Sequence, residues 1–435
     1  MASDLPSRFA TDLEESLNLR VPTAASDDQR STTSTTASGQ ARPRQWDDPP
    51  DDEGEGGPGA GAASPAAREN ITTMVFVLVG QVRSSHDAEI MQLTYASAND
   101  AHLVAMVPKS VNARNMDNKA GPYGVMMWSA TTGQRVLTVT GISGTRSGLR
   151  LARGGFAVKP VSAGGANPVV ACPFYVPMAP QSTPEMYTMW TPRVEAFDLG
   201  RRERLFKQDV AIRAPLAYSP DGQLLAGVSE RDPTRVMVIK VPPGENSSAY
   251  ASIPRIVRIV MSHLDEVTKV AFLPAGAGAT GGARALVSAG KDGQVRVTDI
   301  DSGRTLKKVE VLVAGARFPA SILQVSSDGT LVVTVWGRDV VLWYLDTGRV
   351  HTYNLDAVRV NEGWPMAVSP DGRYLMCRNE EGFDVMEVQT GKFRGEFAVS
   401  GQPITSAAFN STGTRLATGD YAGNLQIYEI VTSEV

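Results

Sequence analysis

One strand signature recurs seven times between residues 128 and 428: a short apolar run containing a large residue, usually followed by an acid or small polar residue and a Gly-bearing turn. The copies read VMMWSATTGQ around Trp128, VEAFDLGRRE around Phe197, VMVIKVPPGE around Ile239, VRVTDIDSGR around Thr298, VVLWYLDTGR around Trp343, FDVMEVQTGK around Met386 and LQIYEI around Tyr428. The steps between the marked residues are 69, 42, 59, 45, 43 and 42. Four of these have the spacing of one four-stranded unit in a radial repeat, and the two long ones contain insertions.

A second repeat runs in phase with the first: LAYSPDGQLLAGV at 216–228, LQVSSDGTLVVTV at 323–335, MAVSPDGRYLMC at 366–377 and AAFNSTGTRLATG at 407–419. In Ser-Pro-Asp-Gly, Pro presets φ, Asp bonds its own backbone and Gly accepts a positive φ, so apolar runs on either side form a hairpin. Each period therefore supplies a hairpin followed by the marked strand.

Together these units resemble the WD-repeat (WD40) family of β-propellers over about residues 71–435, most clearly around 259–311, 312–355 and 399–435. In SHLDEVTKVAF…ALVSAGKDGQVRVTDI, His263, Ser288 and Asp292 match the His, Ser and Asp that family members use as a buried hydrogen-bonding set. Thr298 stands where the family usually has Trp; Trp343 keeps that Trp, with Asp339 in the turn before it, in a blade that offers no matching His. The expected fold is all-β: a single closed β-propeller of seven four-stranded blades, at 86–143, 147–208, 209–258, 259–311, 312–355, 356–398 and 399–435. The resemblance implies that 71–80 supplies the closing strand of the last blade.

Residues 1–70 differ in character, with Ser, Thr, Gly, Ala and Pro dominating 31–70 around the acidic DDPPDDEGE. Such a segment cannot bury enough apolar surface to order itself, so a disordered N-terminal tail is expected. It holds 13 acids and 6 bases, net −7, which leaves +3 for 71–435 in a chain of net −4. Leu5, Phe9, Leu13 and Leu17 recur at i+4 and suit a helix that folds on a partner.

Little points to chemistry. His86, His102, His263 and His351 have no metal-ligand spacing, and Cys172 and Cys377 stand apart in apolar stretches, as buried free thiols do. Asp299-Ile-Asp301-Ser-Gly303 lacks the spacing of a calcium loop, and Gly290-Lys291-Asp292 that of a phosphate loop. No catalytic, cofactor or metal site is expected. The N-terminus carries no secretory pattern and MVFVLVG at 74–80 is too short to span a bilayer, so the expectation is an intracellular protein of cytoplasm or nucleus, away from membranes.

Family geometry places the second-to-third-strand turns around one mouth of the central channel. There they offer Arg231, Lys291, Trp336 with Arg338, Arg378 and Tyr421, bases and aromatics suited to an acidic or phosphorylated peptide. The resemblance thus implies a non-catalytic scaffold or adaptor that binds other proteins. A propeller enzyme or ligand binder with its site at the channel mouth is the alternative. An RNA- or chromatin-associated propeller is a third, against which the small +3 excess weighs. Met178, Met186, Tyr187, Met189 and Trp190 read as core-strand residues or an adaptable docking surface.

Overall fold

In the computed structural model the described residues are 72–83, 89–96, 100–108, 120–121, 123–132, 134–139, 150–152, 155–160, 167–177, 190–208, 210–241, 256–261, 263–277, 280, 284–311, 319–355, 364–399 and 402–434. The expected acidic tail over 1–70 and its helix around Leu5, Phe9, Leu13 and Leu17 lie outside them. So do Met178, Met186, Tyr187 and Met189.

The structure is a ring of seven antiparallel blades, the fold that the period predicts. The blade at 320–354 shows how the sequence builds one. Strands Ala320–Val325, Leu331–Trp336, Asp339–Tyr344 and Val350–Asn354 pair in that order. Leu331–Trp336, LVVTVW, is buried along its whole length, whereas Val350–Asn354 is largely exposed. A middle strand covered on both faces must be continuously apolar, and an outer strand need not be.

The Ser-x-Asp-Gly turns join first and second strands by one repeated device. Ser219 Oγ donates to Asp221 Oδ1 and accepts from the Leu224 N–H at 2.8 Å. Ser326 and Ser369 do the same with Leu331 and Tyr374, while Asn410 Oδ1 takes the role in the last blade by accepting from the Arg415 N–H at 2.8 Å. Gly222, Gly329, Gly372 and Gly413 have φ of 65, 71, 75 and 71°, a region a side chain resists.

Blades hold together through their faces. Among the described residues the buried apolar side chains form seven clusters, and each spans one seam between neighbouring blades. Full burial of a large apolar side chain is worth about 1.5–3 kcal/mol, so the seams carry most of the stability.

The seventh blade is composite. Thr72–Arg83 pairs along Asn424–Glu434 from Thr72 opposite Glu434 to Arg83 opposite Asn424, with a bulge between Leu78 and Gly80. Met74 and Phe76 turn toward the sixth blade, where Phe76 packs 4.3 Å from the Phe397 ring and 5.3 Å from Phe383. Residues from both ends of the ring thus share one sheet and one core.

Two details differ from the expected blade limits. Ile256–Met261 pairs with Arg235–Lys240, so the third blade extends to 261 rather than 258. The second blade's first strand is broken into Arg150–Ala152 and Ala157–Val158, both paired with Val169–Pro177. Ala120–Gly121, from the first blade's insertion, adds to Arg150–Ala152 and so crosses to the neighbouring sheet. Among the described residues no helix is long and apolar enough to cross a membrane.

Candidate functional site: a fastened blade and an exposed rim

The fourth blade contains a Ser, a His and an Asp in one hydrogen-bonded line. His263 precedes strand Val267–Phe272, Ser288 lies in Ala285–Gly290, and Asp292 occupies the turn before Gln294–Asp299. His263 Nδ1 is 2.8 Å from Asp292 Oδ1, and Nε2 is 2.9 Å from Ser288 Oγ. A carboxylate only accepts, so Nδ1 carries the proton and the Ser288 hydroxyl donates to Nε2. Gly290 makes room for the ring, since a Cβ there would stand 2.4 Å from Nδ1.

Burial holds the His263 imidazole below its ordinary pKa, outweighing the upward pull of Asp292. Burial also pushes Asp292 up, but the hydrogen bonds it accepts from the Leu264 N–H and from His263 prevail and hold its carboxyl low. The order of groups matches that of a nucleophile, its base and the base's orienting acid. Access separates the two cases: Ser288 is 1% exposed, so no substrate meets its hydroxyl. This line ties the loop before the first strand to the second strand and to the following turn.

Thr298, opposite Leu286 on the neighbouring strand, is buried, and its Oγ1 has no partner. In the next blade Trp343 packs into the seam with the fourth blade, while Asp339 Oδ1 accepts from Asn354 Nδ2 at 2.8 Å.

The rim residues divide by what they touch. Arg231 is exposed in the turn between Leu224–Ser229 and Arg235–Lys240. Lys291 Nζ lies 2.7 Å from Glu266 Oε2, and Arg213 Nη2 lies 2.5 Å from the other oxygen of that carboxylate. One acid therefore answers two cations drawn from two blades, and the pair holds Glu266 below its ordinary pKa against burial, which pushes up. Arg378 Nη1 donates to the Ile404 carbonyl at 2.9 Å across the seam between the last two blades. Arg338 is partly buried in its turn, and Tyr421 is 40% exposed.

Trp336 does not belong on this face. It is 1% exposed, and its Nε1 donates to Thr334 Oγ1 at 2.9 Å inside the core. As the last residue of a strand covered on both faces it packs into the seam with the fourth blade, which the reading as a turn residue overlooked.

Two apolar residues that the turn pattern did not mark stand on the rim instead. Trp364 opens the inner strand Trp364–Val368 opposite Arg378 and is 52% exposed. Leu264 is 83% exposed, with its N–H held by Asp292 Oδ2 at 2.9 Å. Their signal was positional: in an antiparallel blade the start of the first strand lies beside the end of the second, at the same mouth. Next to Arg378 a shallow cleft is lined by Asn379, Glu380, Glu381, Gly382, Val399, Gln402, Pro403 and Ile404.

Other reactive types sit apart. Among the described residues no group of three or more His, Cys, Asp or Glu could hold a metal ion. Cys172 and Cys377 are buried free thiols, and burial pushes Cys377 up to about 12, which removes thiolate at neutral pH. His351 packs edge-on against Tyr344, His102 heads a strand, and His86 lies outside the described residues.

Comparison with known proteins adds two findings. The family model of the WD domain, G-beta repeat, matches residues 389–429. A WD repeat-containing protein SL1-17 from Schistosoma mansoni is 31% identical over 124 residues, covering 28% of this chain and 40% of that relative. The chain thus matches less than half the length of this relative.

Proposed function

As a WD-repeat β-propeller, this chain is, we propose, a non-catalytic interaction scaffold that presents the rim of second-to-third-strand turns to a peptide segment of another protein. The observation that supports this reading is the exposure of Trp364 and Tyr421, at 52% and 40%, at the mouth around which Arg231, Lys291, Arg338 and Arg378 are placed. Large aromatics anchor protein interfaces because they bury much area at small entropic cost.

The chemistry favoured for the partner is an acidic or phosphorylated extended peptide. Arg231 is exposed for such a group, and Lys291 shares Glu266 with Arg213, a partly exposed arrangement that a phosphate can enter at small cost. Arg378 serves the seam, because its guanidinium is committed to a backbone carbonyl. Burial of the Ser288 line keeps that triad-like arrangement from acting on a substrate.

The test compares the intact chain with Trp364→Ala, Tyr421→Ala and Arg231→Glu in affinity recovery from native lysate, after thermal unfolding has verified that each variant folds. A partner retained by the intact chain and lost from the variants supports the rim. Partners recovered equally by all forms would move the binding surface elsewhere.

A further inference from the structure

We propose that the outer edge of strand Thr72–Arg83 is a self-association site, where two copies of this chain pair antiparallel through residues 72–78. The inner edge of this strand is filled by Asn424–Glu434, and among the described residues no strand pairs with its outer edge. Unpaired N–H and C=O groups on an outer strand form a template for another strand, and proteins defend such edges with charge, proline or shortness.

The other six outer strands are defended. Arg135–Val139, Glu203–Gln208, Ile256–Met261, Thr305–Glu310, Val350–Asn354 and Phe393–Ala398 are five or six residues long, and each carries at least one Arg, Lys, Glu or His. Thr72–Arg83 runs for 12 residues, TTMVFVLVGQVR, with no proline and no charge before Arg83. Val75, Val77 and Leu78 are 47, 45 and 48% exposed, and Val431, directly opposite Val75, is 48% exposed. The first seven residues are rich in β-formers and free of Gly and Pro, a composition prone to strand addition. The bulge between Leu78 and Gly80 ends the flat stretch and so limits the ladder to 72–78.

Charge selects a second copy as the occupant. A twofold axis at Val75 sets Thr72 opposite Leu78 and Thr73 opposite Val77, and no charges meet. The same operation on Thr305–Glu310 would set Lys307 against Lys308, a repulsive pair. A charged partner segment would find no complementary group along residues 72–82.

Sedimentation velocity of the full chain across about 1–100 μM, a range in which weak pairing shows, tests the proposal. The expected result is a sedimentation coefficient that rises with concentration in the native chain. Val75→Lys and Val77→Lys, both at outward positions, abolish the rise while the thermal midpoint stays unchanged, and mixing Val75→Lys with Val75→Glu chains restores it. A native chain that stays monomeric throughout, as it would if another protein or another segment of this chain covered the edge, overturns the proposal. So does association that survives both lysine variants, or a mixture that fails to associate.

Discussion

Ser411 of the last blade and Asp100 of the first, 311 residues apart in sequence, are joined by two hydrogen bonds: the Ser411 hydroxyl donates to Asp100 Oδ2 at 2.6 Å and its N–H to the same oxygen at 3.1 Å. Asp100 is 8% exposed and has a φ of 53°, a conformation that Asp tolerates better than most residues. Nearby, Thr405 Oγ1 donates to the Ile90 carbonyl at 2.8 Å, and the Ile90 N–H to the Asp420 carbonyl at 3.1 Å. The seam that closes the ring is thus fastened by polar contacts as well as by its apolar cluster.

Asp100→Ala leaves the Ser411 donors without their acceptor, and the expected loss in unfolding free energy is about 1–3 kcal/mol. Ser411→Ala alone costs less, because its N–H still reaches Asp100. A double-mutant cycle read by urea denaturation should return a coupling of about 0.5–3 kcal/mol. Additive losses would mean that the pair contributes nothing specific to closure.

His263 makes stability depend on pH with a definite sign. Its folded pKa lies below the ordinary 6.5, so between those two values the unfolded chain binds more protons than the folded one. Stability from this group is complete above about 6.5 and lost as pH falls through the folded value. Asp292, also depressed, adds a loss of the same sign below its ordinary 3.8. Denaturation midpoints measured from neutral pH downward should fall, and His263→Gln should flatten the first part of that fall while lowering stability at neutral pH.

Thr298→Val should stabilise the fold. The buried Thr298 hydroxyl bonds to nothing, and valine has nearly the same shape without the desolvated oxygen. The gain expected in urea unfolding is about 1 kcal/mol. Thr298→Trp, the residue that the family usually places there, overfills a packed seam and should cost about 1–3 kcal/mol.

Gly382→Ala should be among the more damaging small substitutions. A Cβ at Gly382 would stand 2.0 Å from the Phe397 carbonyl oxygen and 2.7 Å from the Val399 nitrogen, both backbone atoms of the adjacent strand and loop. Neither can swing aside, so the third strand of the sixth blade must part from the fourth. A clear destabilisation is expected in thermal unfolding, opposite in sign to the gain of about 0.5–1 kcal/mol that Ala brings over Gly in an unobstructed strand, whereas the exposed Gly348, whose Cβ would meet nothing within 4 Å but whose φ is 74°, should show only the milder backbone strain.

The ring was legible because its cause is local and repeated. Alternation recurs in every copy, the Ser-x-Asp-Gly turn or its Asn variant in four blades and a spacing near 43 residues in four of six steps, and seven copies of a unit that cannot cover its own faces must stack. The match of His263, Ser288 and Asp292 to a family motif was also visible in sequence. That Ser288 is sealed from solvent, and that the line therefore fastens rather than reacts, was not.

The rim was legible only in outline. The sequence by itself determined that bases and aromatics occur at the turns of one mouth, since turn position follows from strand order. Tertiary structure decided which of them face outward. Trp336 and Trp364 stand at the end of a second strand and the start of a first, yet one is core and the other exposed, because exposure depends on side-chain phase and on what the adjoining blade covers. It also decided which charges are spent: Arg213 lies in a strand of the third blade, Glu266 just before the first strand of the fourth and Lys291 in a turn of the fourth, and only the folded ring brings them within bonding distance. Short-range periodicity fixes the elements of a propeller, whereas the character of its surface rests on long-range neighbours that no local pattern encodes.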